Sequence, residues 1–241
     1  MEIFSLAARY EGILDRIKAA ASLAGRSPEP IRLMAVTKTV DETLVSEAHH
    51  LGMRDFGESR VQEAVPKQAA LSDLDARWHF IGHLQTNKIK RVVGTFSLIH
   101  SVDSYRLAEA LSREATARDI VQPILVQVNI AGEARKHGLT PDETPTVLDR
   151  IVKELPGVTI QGLMMMAPYA ADPEATRPYF KRLRQLRDQC VSHLADKWPL
   201  EILSMGMSQD YEVAVEEGAT IIRIGSGLFG PPSGLPRTQT F

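Results

Sequence analysis

Lys38 ends an apolar run, Ile31-Arg32-Leu33-Met34-Ala35-Val36-Thr37-Lys38, and its amine is a candidate for covalent chemistry. A short run of this kind, following Pro28 and Pro30, reads as a buried strand that delivers the lysine to its carboxyl end. There the side chain is either a surface residue with its stem along apolar atoms or an amine kept short of water. In the second case lost hydration lowers its pKa from about 10.4, and the neutral amine attacks carbonyls to form Schiff bases. Two loops far along the chain offer a second chemistry: Leu203-Ser204-Met205-Gly206-Met207-Ser208, and Arg223-Ile224-Gly225-Ser226-Gly227-Leu228-Phe229-Gly230. Glycine lets backbone N–H groups approach an anion, serine adds hydroxyl donors, and a helix start adds partial positive charge. Together they read as a phosphate site; glycine-shaped turns are the plainer alternative. Arg223, two residues before Gly225, is either a fixed cation near the amine, depressing its pKa further, or half of a buried ion pair.

The elements that must position these groups follow from periodicity. A helix over 3–24, stopped by Gly25 and Pro28, precedes the first strand. Strands are expected at 31–38, 54–57, 78–82, 97–102, 123–129, 158–165, 200–204 and 219–224. Helices are expected at 41–51, 58–71, 85–93, 103–117, 140–155, 172–194 and 208–217, and the glycine-rich segment 225–230 can open one more. Asp41 and Asp103 or Ser104 serve as caps, Pro141 and Pro173 stand in first turns, and Gly52 and Gly218 as stops. Eight strands each followed by a helix, with short connections, predict an α/β fold: a single (β/α)8 TIM barrel over 1–241, with an extra amino-terminal helix. An open doubly wound sheet binding a dinucleotide would carry a glycine-rich turn after its first strand, and Thr37-Lys38-Thr39-Val40 has none. In such barrels function sits at the carboxyl ends of the strands, and phosphate commonly lies between the loops after strands seven and eight. Those are the positions of the two small-residue loops. Closure of the barrel makes strands one and eight neighbours, which brings Arg223 beside Lys38.

Composition excludes several classes. With 44% apolar and 24% charged residues and a net charge of -2, the chain can bury a core and has no bulk attraction for nucleic acid or anionic membrane. Cys190 is its only cysteine, which rules out an internal disulfide and fits a reducing compartment. The start lacks the form of a secretory signal, and no apolar run reaches about 20 residues, so a cytoplasmic location is expected. The tail from Pro231-Pro232-Ser233-Gly234 is turn-rich and expected to be loosely held.

Longer motifs then stand out in order: Met34-Ala35-Val36-Thr37-Lys38, Phe56-Gly57-Glu58-Ser59-Arg60-Val61-Gln62-Glu63, Trp78-His79-Phe80-Ile81-Gly82-His83-Leu84-Gln85-Thr86-Asn87-Lys88, His100-Ser101-Val102-Asp103, Gly162-Leu163-Met164-Met165-Met166, Leu203 to Asp210, and Arg223-Ile224-Gly225. The series resembles the pyridoxal 5′-phosphate homeostasis proteins, also called the YggS or proline synthetase co-transcribed family, over nearly the whole chain. The resemblance implies a single barrel like the amino-terminal domain of alanine racemase, holding pyridoxal 5′-phosphate. Lys38 matches the family's Schiff-base lysine. Ser204, Ser208, Gly225 and Ser226 fall where the family cradles the phosphate, with Met207 in the same loop, and Arg223 falls where it meets the pyridine nitrogen. The family usually has asparagine after Phe-Gly-Glu; here Ser59 stands there, so a polar contact is lost or carried by water. The implied role is storage and delivery of the cofactor, with pyridoxal phosphate-dependent apo-enzymes as partners, no nucleic acid or membrane partner, and a monomeric chain.

An arginine only donates hydrogen bonds and keeps its proton. Opposite the ring nitrogen it leaves that nitrogen unprotonated and weakens the cofactor as an electron sink, which disfavours transamination. Racemisation stays open but needs a second proton-transfer group on the other face of the substrate. Tyr10, Tyr105, Tyr169, Tyr179 and Tyr211 are available, and none has a motif placing it there; Tyr169, after strand six, reads as rim packing. A carrier is therefore favoured, with a weak amino-acid racemase as the alternative and a Schiff-base aldolase on a sugar phosphate as a third reading. Elsewhere, His79 reads as a hydrogen-bonded core histidine, and Met164-Met165-Met166 as barrel lining and loop packing. His83 and Asn87-Lys88 can face a ligand or a partner. Asn129 and Glu133-Ala134-Arg135-Lys136-His137-Gly138 can gate the mouth, a solvated loop being simpler for all but Asn129. His49-His50 lacks metal-site spacing.

Overall fold

Alternation of side chains across eight short strands closes the sheet into a ring. The strands are β1 (Arg32–Val36), β2 (Asp55–Glu58), β3 (Arg77–Phe80), β4 (Leu98–Val102), β5 (Gln122–Gln127), β6 (Val158–Met164), β7 (Ile202–Met207) and β8 (Ile221–Ile224). All pair in parallel and in chain order, and β8 returns to β1 with Met34 opposite Arg223 and Ala35 opposite Ile224. One set of side chains (Met34, Leu98, Leu125, Met164, Ile202 and Ile221) packs together as a small cluster inside the ring. The alternate set, including Ala35, Phe56, Phe80, Ile124, Leu203 and Ile224, belongs to the larger core between sheet and helices. This is the expected (β/α)8 barrel. The computed structural model describes residues 5–133, 135–194 and 200–230, with the side chains of residues 193 and 194 excepted. The expectations for residues 1–4 and for the tail 231–241 lie outside the described residues.

Helices α1 (Leu6–Leu23), α2 (Glu42–His50), α3 (Val61–Ala70), α4 (Ile89–Val92), α5 (Tyr105–Ala117), α6 (Thr144–Glu154), α7 (Arg177–Leu194), α8 (Tyr211–Glu216) and α9 (Ser226–Phe229) surround the barrel. Asp41 and Ser104 cap α2 and α5 through their side chains, as their positions predict. The extra helix α1 lies against α8 and α9, where Arg26 donates to the Ala219 carbonyl at 3.1 Å and Arg9 donates to that of Leu228. Among the described residues no helix is long and apolar enough to cross a membrane.

Several boundaries differ from expectation for local reasons. Strand β7 runs on to Met207 instead of ending at Ser204; Gly206, at φ +90°, accommodates a register shift between Ser204 and Met207. Helix α8 accordingly starts at Tyr211. Glu58 is the last residue of β2, not the first of a helix, and is fully buried. The helix expected over 85–93 is a 3-10 turn, Thr86–Lys88, followed by the single turn α4. Helix α6 waits until Thr144, because the Thr140 hydroxyl bonds the Glu143 carboxylate in a preceding turn.

Candidate active site

Lys38 emerges from β1 on a turn clamped from below. The Thr37 N–H donates to the Gly57 carbonyl at 3.0 Å and so extends the β1–β2 ladder by one residue. Beneath that turn three buried groups converge: the Glu58 Oε1 atom accepts from the Thr37 hydroxyl at 2.8 Å and from the Lys67 ammonium at 2.7 Å. Lys67 Nζ also donates to the Thr37 carbonyl at 2.7 Å. The second carboxylate oxygen, Oε2, is enclosed without a hydrogen-bond partner among the described residues. Thr39 completes the turn with φ +65°. Lys38 itself is exposed. Strand alternation puts it on the same side as Met34 and Val36, toward the mouth of the barrel and not toward the helices.

The neighbouring wall is built by β7, β8 and α9. A Cβ added to Gly225 would stand 3.4 Å from Val36 Cβ, so the start of α9 sits directly against the end of β1. From there Ser226 Oγ lies 3.4 Å from Ser208 Oγ, and the Gly227 N–H donates to Ser208 Oγ at 3.2 Å. Ser226 and Gly227 are exposed, Ser208 and Gly225 half-buried, and Met207 half-open beside them. The Met207 N–H is held by Asp210 Oδ1 at 2.7 Å, which fixes the loop between β7 and α8. Ser208, Gly225 and Ser226 thus come together at the mouth. Ser204 does not join them: the longer β7 carries it inward, where it is fully buried and its hydroxyl meets Arg223 and His100.

Arg223 is 5% exposed and has no ion-pair partner within salt-bridge distance among the described residues. Its Nη1 donates to Ser204 Oγ at 2.7 Å and its Nη2 to the Met165 carbonyl at 2.8 Å. Burial pushes its pKa down to about 10, partly opposed by Asp210, so it remains a cation at neutral pH. Behind it runs a line of buried groups across the barrel. His100 Nδ1 lies 2.9 Å from Ser204 Oγ, His100 Nε2 lies 3.1 Å from His79 Nδ1, and His79 Nε2 lies 2.8 Å from Asp55 Oδ1. Arg77 grips Asp55 with both Nε and Nη2, at 2.9 and 2.7 Å.

The Asp55 carboxylate sets the direction of every bond in the line. Burial alone would raise its pKa, but the hydrogen bonds from His79 and Arg77 outweigh that and hold it well below the usual carboxylate range. As an acceptor only, it requires a proton on His79 Nε2. His79 Nδ1 then accepts from His100 Nε2–H, and His100 Nδ1 accepts from the Ser204 hydroxyl. The Ser204 oxygen is left to accept from Arg223. Both histidines are neutral in this assignment, and burial pushes both pKa values down. A lone core histidine is therefore one link in a five-residue support for Arg223. Inward-facing parity on β2, β3, β4, β7 and β8 is the signal that could have joined these residues.

Other singled-out residues fall away from this centre. Tyr169 is 80% exposed, while Tyr105 donates to Glu154 at 2.6 Å on the outside of the barrel. Met164 and Met165 are buried as expected, and Met166 is partly exposed. Asn129 holds its own loop, donating to the carbonyls of Glu133 and Lys136.

The chain matches the family described as alanine racemase, N-terminal domain, over residues 13–232. It is 45% identical over 222 residues to the pyridoxal phosphate homeostasis protein of Aquifex aeolicus, covering 92% of this chain and 96% of that one. The protein of the same name from Pseudomonas aeruginosa is 42% identical over 227 residues, with 94% and 95% covered. Among solved structures, that of PipY from Synechococcus elongatus with pyridoxal phosphate bound matches with a TM-score of 0.78 at 39% identity, over 90% of this chain and all of the other. Agreement of this extent, on a closed barrel with an amine, a serine-glycine cradle and a buttressed arginine at one seam, makes the chain a member of the alanine racemase N-terminal domain family and, within it, of the pyridoxal phosphate homeostasis proteins.

Proposed function

We propose that this protein binds pyridoxal 5′-phosphate at the β1–β8 seam, covalently through Lys38, and holds it for delivery to pyridoxal phosphate-dependent apo-enzymes in the cytoplasm, without robust catalysis of its own. The observation that carries this reading is that the end of β1, which bears the exposed Lys38, lies beside the start of α9, where Ser226 and Gly227 meet Ser208. The donor set fits a phosphorylated aldehyde. A Cβ on Gly227 would stand 3.0 Å from Ile224 Cγ2 and 3.4 Å from Ser208 Oγ, filling the cradle that an anion would enter. Arg223 uses two of its five N–H donors on Ser204 and Met165, leaving others for a ring nitrogen. The names of the two relatives and the cofactor in PipY point the same way.

When bound, pyridoxal phosphate supplies an electrophilic aldehyde and an electron-withdrawing ring. Lys38 offers the nucleophilic amine, and the Thr37–Glu58–Lys67 clamp fixes the backbone from which it reaches. Ser208 and Ser226 would donate hydroxyl hydrogen bonds to phosphate oxygens beside the Gly227 backbone N–H. Arg223, a cation held in place through Ser204, His100, His79 and Asp55, would donate to the ring nitrogen without protonating it, leaving the ring a weak electron sink. Of the tyrosines that could serve as a second acid or base, Tyr169 is 80% exposed and Tyr211 is buried in the packing of α8. Holding is thus better supported than turnover.

The test is a visible absorption spectrum after incubation with the cofactor and dialysis. A yellow protein, colourless as Lys38→Ala, with borohydride fixing pyridoxyl mass on the peptide containing Lys38, is the expected result. A colourless wild type, or label on another lysine, overturns it. Transfer is tested by activation of a pyridoxal phosphate-dependent apo-enzyme by the loaded protein. Exchange of α-hydrogen from single L-amino acids in deuterated water would instead make the protein a racemase.

A further inference from the structure

Across the ring from Lys38, the ends of β3, β4 and β5 bring His83, Asp103 and His137 into one cluster whose ligand atoms all lie within 4.8 Å of one another. We propose that these three residues form a binding site for a divalent transition-metal ion, of which zinc is the natural probe. Both His83 Nδ1 and His137 Nδ1 stand 3.5 Å from the same atom, Asp103 Oδ2. Tetrahedral zinc with bonds of about 2.0–2.1 Å holds its ligand atoms about 3.3–3.4 Å apart, so the two nitrogen–oxygen edges already have the span of a metal site. The imidazole rings are stacked, with centroids 3.9 Å apart and planes 17° from parallel. They are half-exposed, at 47% and 58%, and a shared ion would require both rings to turn about their side-chain bonds so that their Nδ1 lone pairs face it.

The scaffold around the three is fixed where a site needs it. Asp103 is only 13% exposed, and its other oxygen, Oδ1, accepts from the Ser104 hydroxyl at 3.2 Å, which leaves Oδ2 facing the rings. Gln127 donates to the His137 carbonyl at 2.9 Å, and Asn129 donates to that of Lys136. His83 follows Gly82, where a Cβ would stand 2.0 Å from the Ser59 carbonyl oxygen, so the backbone there is packed without slack. Two imidazoles and a carboxylate suit zinc, nickel, cobalt and iron over magnesium or calcium. Three protein ligands leave at least one coordination position open.

The experiment is a competition titration of the full chain with zinc against a chromophoric chelator, repeated in a Lys38→Ala background so that a phosphorylated ligand cannot be the chelating group. One ion per chain is expected. Loss of even an outer partner costs about tenfold to 100-fold in metal affinity, so His83→Gln, His137→Gln and Asp103→Asn should each weaken binding by more than about tenfold. Substituting His49 and His50 together should leave it unchanged. Cobalt should give the intense visible bands of a four-coordinate site in the wild type and not in the variants. Zinc binding weaker than about 1 mM, or unchanged affinity in the His83→Gln, His137→Gln double variant, overturns the assignment. Both histidines are half-exposed, and unchanged thermal melting of the variants without metal separates lost ligation from lost folding.

Discussion

Replacing Lys67 by methionine removes the one cation from the clamp beneath Lys38 while keeping most of the side-chain volume. Lys67 is 5% exposed and Glu58 fully buried, with Nζ and Oε1 2.7 Å apart. At an effective dielectric constant near 20, that separation corresponds to a gross attraction of about 6 kcal/mol, most of it offset by the desolvation of both ions. The substitution does not recover that desolvation for Glu58, whose Oε2 already lacks a partner; it also takes one of two donors from the Thr37 carbonyl, which keeps the Val40 N–H at 3.0 Å. Removing one member of a buried pair costs about 3–5 kcal/mol, a large share of a typical total of about 5–15 kcal/mol. Urea unfolding followed by circular dichroism should show Lys67→Met losing about 4 kcal/mol with an unchanged m-value. Glu58→Leu in the same chain should recover much of it, because two apolar groups leave no unpaired charge. A loss below about 1 kcal/mol, the range of an exposed pair, or strictly additive effects in the double variant, would refute the clamp as a buried, coupled unit. The same variant should bind the cofactor more weakly, since the turn bearing Lys38 loses an anchor.

Ser204→Ala deletes the acceptor for Arg223 and the donor to His100, and should cost about 2 kcal/mol in the same assay; no change would break the proposed line of support. Both His79 and His100 titrate lower in the fold than in the unfolded chain, so the unfolded state binds more protons below about pH 6.5 and stability falls as the pH drops through that value. Asp55, held low in the fold, adds stability above about pH 4 that is lost below it. Denaturation midpoints measured from neutral to acid pH should decline in that order, and a midpoint flat down to about pH 5 contradicts the neutral histidine pair. Gly82→Ala drives a methyl into the Ser59 carbonyl and should destabilise by about 3 kcal/mol, checked by thermal melting.

The barrel was legible because most strands carry an apolar run and several helices a stop or a cap, such as Asp41, Ser104, Gly52 and Gly218, and those signals are local. Lys38, Ser208, Gly225 and Ser226 were legible for the same reason: the fold assigns the ends of strands one, seven and eight to one region. Ser204 was misplaced because a glycine-bearing strand end looks like a loop until its ladder is seen. Glu58 and Lys67, nine residues apart, carry no sequence signal that pairs them, since only the return of the chain shows that both turn inward. The cluster of His83, Asp103 and His137 was invisible for a further reason. It draws on three loops, each with an innocent account of its own.

The ring is sealed by its first and last strands, and Lys38 sits on one side of that seam with the serine-glycine cradle on the other. Synthesis therefore reaches the amine early and Ser226, on the opposite side, only 188 residues later. If Lys38 and this cradle hold the ligand as proposed, a fragment lacking either edge carries only half of the site. Acquisition of the ligand would then be conditional on finishing the fold, and a bound cofactor would report a completed barrel.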